Sequence, residues 1–210
     1  MAKVLLFQGD SITDTGRSRE ADVPANVGLG TGYALMTAAE LLASQPEKDW
    51  QIYNRGISGN RVVDLYARWK IDALNLCPDV LSILIGVNDT WHEKNNRNGV
   101  EVERYDMIYR MLLDWTKKVL PETKLILMEP FVLVTGAVEA DWVADIDARR
   151  QVVKKIAADY GAVFLPLQEM FNEACKLAPM EYWLRDGVHP TAAGHKLITD
   201  AWLKAAAPVL

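Results

Sequence analysis

Four short segments of this chain combine small residues with groups that can do chemistry: Gly9-Asp10-Ser11-Ile12-Thr13, Asn54 to Asn60 (N-R-G-I-S-G-N), Gly86-Val87-Asn88-Asp89 and Asp186-Gly187-Val188-His189-Pro190. A serine hydroxyl such as that of Ser11 is a weak nucleophile until a neighbouring base takes its proton. His189, one of only three histidines in the chain, is suited to that task because imidazole titrates near neutral pH. Asp186 stands three residues earlier, so a tight turn could bring its carboxylate to the far ring nitrogen, select the tautomer and stabilise an imidazolium. Attack on an ester carbonyl also needs donors for the developing oxyanion. The candidates are the Ser11 N–H, the Gly59 N–H, where a missing side chain allows close approach, and the Asn88 amide. Each segment alone reads equally well as a turn or a helix cap. Together they have the parts of an acyl-transfer site.

These segments are useful only if the fold gathers them. Strands are predicted at Val4–Phe7, Gln51–Tyr53, Val80–Ile85, Lys124–Met128 and Ala162–Leu165, several as continuous aliphatic runs typical of strands buried on both faces. Helical patterns fall between them at Tyr33–Ala43, Val62–Leu74, Val102–Val119 and Asp141–Tyr160, with a last helix over Thr191–Ala206. This alternation predicts an α/β fold with a mostly parallel, five-stranded sheet covered on both faces. In such sheets ligands bind beyond the carboxyl ends of the strands. Three of the four segments directly follow a predicted strand, and the fourth precedes the last helix.

Further residues are candidates by position. Asp10 is expected to brace the turn off the first strand and is counted with Trp91 and Trp183 as a candidate substrate contact. The two indoles flank the Asn88 and Asp186 segments and could offer flat stacking surfaces to a sugar. Residues 14–32 and 90–99 read as long polar loops that could wall a substrate site. His92 falls in the second of these as a solvated or rim residue, and His195 reads as a residue on the face of the last helix.

The chain has 210 residues, 50% apolar and 24% charged, which suits one domain spanning 1–210. A net charge of −5 without a basic cluster argues against nucleic-acid binding. Apolar runs are too short for a membrane span, and the N-terminal stretch lacks the apolar core of a signal peptide. Cys77 and Cys175 lie far apart, so neither a disulfide framework nor a zinc site is expected and a cytoplasmic location is. Gly28-Leu29-Gly30-Thr31-Gly32 lacks the spacing of a dinucleotide fingerprint.

Taken in order, G-D-S-I-T, N-R-G-I-S-G, G-V-N-D and D-G-V-H-P resemble the four blocks of the SGNH, or GDSL, hydrolase family. The motif differs from the G-x-S-x-G elbow of α/β-hydrolases, because residue 13 is Thr. The resemblance implies a flavodoxin-like three-layer α/β/α sandwich and a serine esterase with no metal and no cofactor. By carry-over, Ser11 is the nucleophile, His189 the base and Asp186 its orienter, with Ser11, Gly59 and Asn88 forming the oxyanion hole. The longer runs G-D-S-I-T-D-T-G-R, L-G-T-G-Y, G-V-N-D-T-W and L-M-E-P-F look like bacterial carbohydrate esterases that deacetylate xylan-derived sugars. That likeness implies a small acylated substrate, a sugar ester, and a homo-oligomer. Two alternatives stay open: a lysophospholipase or thioesterase with the same triad, and a non-catalytic ligand-binding module.

Overall fold

A computed structural model describes residues 2–20 and 22–210. Its five strands, β1 (Lys3–Gly9), β2 (Trp50–Asn54), β3 (Val80–Leu84), β4 (Lys124–Met128) and β5 (Val163–Leu165), form one sheet in the order β2-β1-β3-β4-β5. Every pairing is parallel. The expected mostly parallel sheet is thus parallel throughout, as α-helical crossovers require. The chain winds one way from β1 to β2 and the other way through β3 to β5, so strand order reverses between β1 and β3. Beyond their carboxyl ends lies the crevice where an open α/β sheet binds ligands.

Alternate residues of each strand supply opposite cores, because successive side chains point to opposite faces. Leu5 and Phe7 enter one core with Trp202, while Leu6 enters the other with Val62, Leu65 and Trp69. All three strand residues are fully buried, which explains why β1 reads as an unbroken aliphatic run. Helices α2 (Tyr33–Ser44) and α9 (Ala192–Ala206) pack together on the first face. Helices α3 (Val62–Asp72), α5 (Val102–Val119) and α6 (Trp142–Asp159) cover the second. The result is a three-layer α/β/α sandwich. No helix among the described residues is long and apolar enough to cross a membrane.

Shorter α-helices among the described residues are α1 (Ser11–Asp14), α4 (Val87–Asn96), α7 (Leu167–Ala174) and α8 (Met180–Trp183). Helix α4 corrects the expected loop at 90–99, which is helical to Asn96. Only its first turn, Val87 to Thr90, is buried, so the rest shows a polar face with no apolar period to betray a helix. His92 therefore sits on a helix and not in a loop. The polar stretch at 14–32 has no regular element among the described residues after Asp14.

Candidate active site

Strand β1 delivers Ser11 to the crevice through a turn with no slack. A Cβ on Gly9 would lie 2.4 Å from both the Leu84 carbonyl and Thr13 Oγ1, so the turn depends on a residue without one. Asp10 caps the single turn of α1: its Oδ1 accepts the Ile12 N–H at 3.0 Å. Ser11 is the first residue of that turn, and its N–H finds no acceptor among the described residues.

His189 arrives from the far end of the chain on a small hairpin. Leu184 and Pro190 form an antiparallel bridge, and the Arg185 N–H donates to the His189 carbonyl at 3.0 Å. Gly187 turns the hairpin at φ +87°, a conformation that costs other residues about 1–2 kcal/mol. Ser11 Oγ lies 2.8 Å from His189 Nε2, and His189 Nδ1 lies 2.7 Å from Asp186 Oδ2. The other oxygen of Asp186 accepts the Val188 and His189 N–H groups at 3.0 and 2.8 Å. Burial by itself would raise the Asp186 carboxyl, yet these bonds from His189 and Val188 outweigh it and hold the group below its ordinary value. Asp186 is therefore ionised at neutral pH and suited to holding a proton on His189 Nδ1. That leaves Nε2 free to accept from Ser11.

On the opposite side of Ser11, a cavity of about 300 Å³ is lined by Ser58, Gly59, Asn88, Trp91 and His92, among others. Gly59 sits at φ +84° with open space where a side chain would project, and its N–H finds no acceptor among the described residues. Asn88, in the first turn of α4, donates one amide hydrogen to the Asn60 carbonyl at 3.2 Å, which leaves its second for a ligand. Asp14 ties this wall to the turn that carries Ser11, because its Oδ2 accepts both the N–H and the hydroxyl of Ser58 at 2.9 Å. A second cavity of about 670 Å³ opens on the other flank of Ser11 and His189, bounded by Thr15, Thr31, Arg185 and His195. The Ser11–His189 pair thus stands between two basins.

Two buried carboxyls lie behind this edge. Asp10 and Asp89 are 1% and 0% exposed, and burial pushes each up to about 7. Asp89 is partly compensated by the Arg149 charge and accepts the Val62 N–H, which anchors the start of α3. One oxygen of Asp10 has no hydrogen-bond partner among the described residues.

The structure brings Ser11, Asp186, His189, Gly59 and Asn88 to one edge of the sheet and separates the remaining candidates. Trp91 lines the smaller cavity, its ring 5.8 Å from that of His189 and edge-on to Trp142 at 5.3 Å. Trp183 does not line either basin. The residue is 9% exposed, packs in the core and donates from Nε1 to the Ala178 carbonyl at 3.3 Å. Asp10, fully enclosed, braces the turn instead of facing a substrate. Neither of these two expected substrate contacts lines a basin: Asp10 serves the turn and Trp183 the core. His92 joins Trp91 on the cavity wall, while His195 is buried behind the larger basin. Asn95 and Asn96 also line the smaller cavity and went unnoticed in the sequence. A signal was there: Asn88, His92, Asn95 and Asn96 form one polar stripe at helical spacing, with Trp91 beside it. Among the described residues no group of three potential metal ligands converges.

Comparison with known proteins gives this geometry a lineage. Residues 7–197 match the model of the GDSL-like lipase/acylhydrolase family. The chain is 37% identical over 204 residues to an acetylxylan esterase from Geobacillus stearothermophilus, covering 95% of this chain and 92% of that one. It superposes on a candidate GDSL-like lipase from Parabacteroides merdae with a TM-score of 0.94 at 45% identity, over 98% and 95% of the two chains. A catalytic mutant of Axe2, the acetylxylan esterase of G. stearothermophilus, aligns with a TM-score of 0.87 at 36% identity, over 98% of this chain and 95% of that one. The chain therefore belongs to the GDSL-like lipase/acylhydrolase family and is a carboxylic ester hydrolase of the SGNH type.

Proposed function

We propose that this protein is a serine esterase that removes short acyl groups, above all acetyl, from acylated sugars of the xylo-oligosaccharide type. The observation that carries this reading is the unbroken line Ser11 Oγ, His189 Nε2, His189 Nδ1, Asp186 Oδ2, with contacts of 2.8 and 2.7 Å, beside a wall of free donors. Ser11 attacks the carbonyl carbon while His189 takes its proton. The carbonyl oxygen becomes an oxyanion held by the Ser11 and Gly59 N–H groups and the Asn88 amide. Collapse of the tetrahedral intermediate breaks the bond to the alcohol, which leaves with the proton from His189. Water then attacks the acyl-Ser11 ester with His189 again as base, releasing the acid and regenerating Ser11.

Two features support a small acyl group and a polar alcohol. The basin beside Asn88 is about 300 Å³ and is walled by Ser58, His92, Asn95 and Asn96, with Trp91 its one large apolar surface. A long alkyl chain would find little apolar area there to bury, at about 25 cal/mol per Å². This disfavours the lysophospholipase and thioesterase alternative. The relatives support the same reading: catalytic mutants of Axe2 replace a serine, an aspartate and a histidine by alanine, the last two lying three positions apart as Asp186 and His189 do. An intact set of this kind also argues against a binding-only role.

The test is acetate release from acetylated xylo-oligosaccharides and a chain-length series of 4-nitrophenyl esters, on wild type and Ser11→Ala. Activity falling steeply beyond propionyl and absent in Ser11→Ala is expected. A preference for octanoyl would sink the substrate assignment, and retained activity in the variant would remove Ser11 from the mechanism. We also propose that the chain acts as a single domain in a cytoplasmic homo-oligomer, to be checked by light scattering and fractionation.

A further inference from the structure

The larger basin is built from donors. Among its lining residues none is acidic, and two side chains carry N–H groups with no acceptor among the described residues: Arg185 and His195. His195 is only 6% exposed, and the main chain has selected its tautomer. Its Nδ1 accepts the Tyr33 N–H at 3.2 Å at the start of α2, so the ring proton must sit on Nε2. Burial, aided by the charges of Arg185 and His189, lowers the ring to about 4, which keeps this arrangement neutral and fixed across the working range. Gly32 makes room for it, since a Cβ there would lie 2.7 Å from His195 Cε1. An enclosed imidazole with one nitrogen spoken for and the other offered to a cavity is a preorganised donor.

Arg185 complements it. It rides on the hairpin that holds Asp186 and His189, and its side chain is exposed with no carboxylate partner among the described residues. The threonines of the basin are less available. Thr191 Oγ1 donates to the Tyr182 carbonyl and accepts the Gly194 N–H, and Thr31 Oγ1 donates to the Thr15 carbonyl. Thr15 Oγ1 accepts the Thr31 N–H at 3.4 Å. Although these hydroxyl oxygens can still accept, the unpartnered side-chain N–H groups of the pocket among the described residues, one of them cationic, are those of Arg185 and His195. That suits an anionic group with several lone pairs, best a planar carboxylate taken bidentately by the guanidinium.

We propose that Arg185 and His195 form a subsite for a carboxylate on the alcohol half of the ester, so that the favoured substrates are acetylated saccharides bearing a uronic acid. The inference rests on the esterase reading above, with the acyl group on the Asn88 side of Ser11 and the alcohol on the other. A cavity of about 670 Å³ leaves room for the sugar that carries both groups. Arg185 and His195 are specificity residues, neither taking part in bond making.

The experiment compares kcat/KM for acetate release from an acetylated methyl glucuronoside and from its uronamide, which is nearly isosteric but neutral, with an NH2 donor in place of one carboxylate oxygen. Wild type is expected to prefer the carboxylate by about tenfold, the scale of one charge-assisted hydrogen bond, and the preference should shrink with added salt. Arg185→Gln should lower kcat/KM on the carboxylate about tenfold more than on the uronamide. Because Arg185 is exposed, this variant tests the subsite without disturbing the core. His195→Phe should act in the same direction, and circular dichroism reports whether it folds. Equal rates on the two saccharides in wild type, with 4-nitrophenyl acetate still turned over, would overturn the subsite alone. So would an Arg185→Gln effect of equal size on both. No turnover of any of the three esters would overturn the esterase reading and the subsite together.

Discussion

Asp186 holds His189 twice, through the main-chain N–H at 2.8 Å with one carboxylate oxygen and through ring Nδ1 at 2.7 Å with the other. The first bond sets the position of the histidine and the second its tautomer. They can be separated chemically. Asp186→Asn can keep the main-chain bond, but its amide nitrogen would face Nδ1 and force the ring proton to Nε2, where it blocks acceptance from Ser11. We expect kcat to fall on the order of 10⁴-fold with KM and thermal stability little changed. A loss confined to KM would show that Asp186 serves binding instead.

Asn88 makes one hydrogen bond to the Asn60 carbonyl and has a second amide hydrogen for a ligand. Asn88→Ala is expected to reduce kcat by about 10²–10³-fold and to affect KM much less, because the oxyanion exists only in the transition state. Equal kcat in the two proteins, measured on 4-nitrophenyl acetate, would exclude the Asn88 amide from the oxyanion site.

Asp10 should weaken the fold as pH rises. Burial pushes its carboxyl from 3.8 up to about 7, so between about pH 4 and 7 the native state holds a proton that the unfolded chain releases. Stability therefore declines across that window and stays at the lower level above it. Asp10→Asn mimics the protonated acid and can still cap Ile12. It should match wild type near pH 4 and exceed it at pH 8 by roughly 1–4 kcal/mol, at about 1.4 kcal/mol per pH unit. Urea midpoints at the two pH values decide the matter; an equal offset at both would place the effect elsewhere.

Gly9 stands where β1 meets β3, in register with Leu84. A Cβ there collides with the Leu84 main-chain oxygen at 2.4 Å, and a paired strand cannot step aside as a flexible side chain can. Gly9→Ala is expected to cost about 1–3 kcal/mol of stability and to displace Ser11 from His189. A melting temperature within a degree of wild type would show that the turn has slack.

The fold was legible at the level of alternation. Fully buried strands such as Leu5-Leu6-Phe7 show an aliphatic run that no surface role explains, and helix α5 matches its apolar stripe from Val102 to Val119. Helix α4 escaped notice because only its first turn meets the core and the rest exposes polar residues. The same polarity concealed that Trp91, His92, Asn95 and Asn96 share one wall with Asn88.

By itself the sequence determined the residue types of the site and their order, because acyl transfer needs a nucleophile, a base, an orienting acid and oxyanion donors, and few residue types serve each need. It could not rank the neighbours of those residues. Asp10, Trp91 and Trp183 are equally plausible substrate contacts on paper, since each is polar or aromatic and close in sequence to a candidate segment, while His195 reads only as a residue on a helix face. Only packing distinguished them: Asp10 and Trp183 are enclosed, Trp91 faces one basin, and His195 offers a single N–H to the other. Distance along the chain says where a residue can go, whereas burial and the partner already taken decide what it has left to offer.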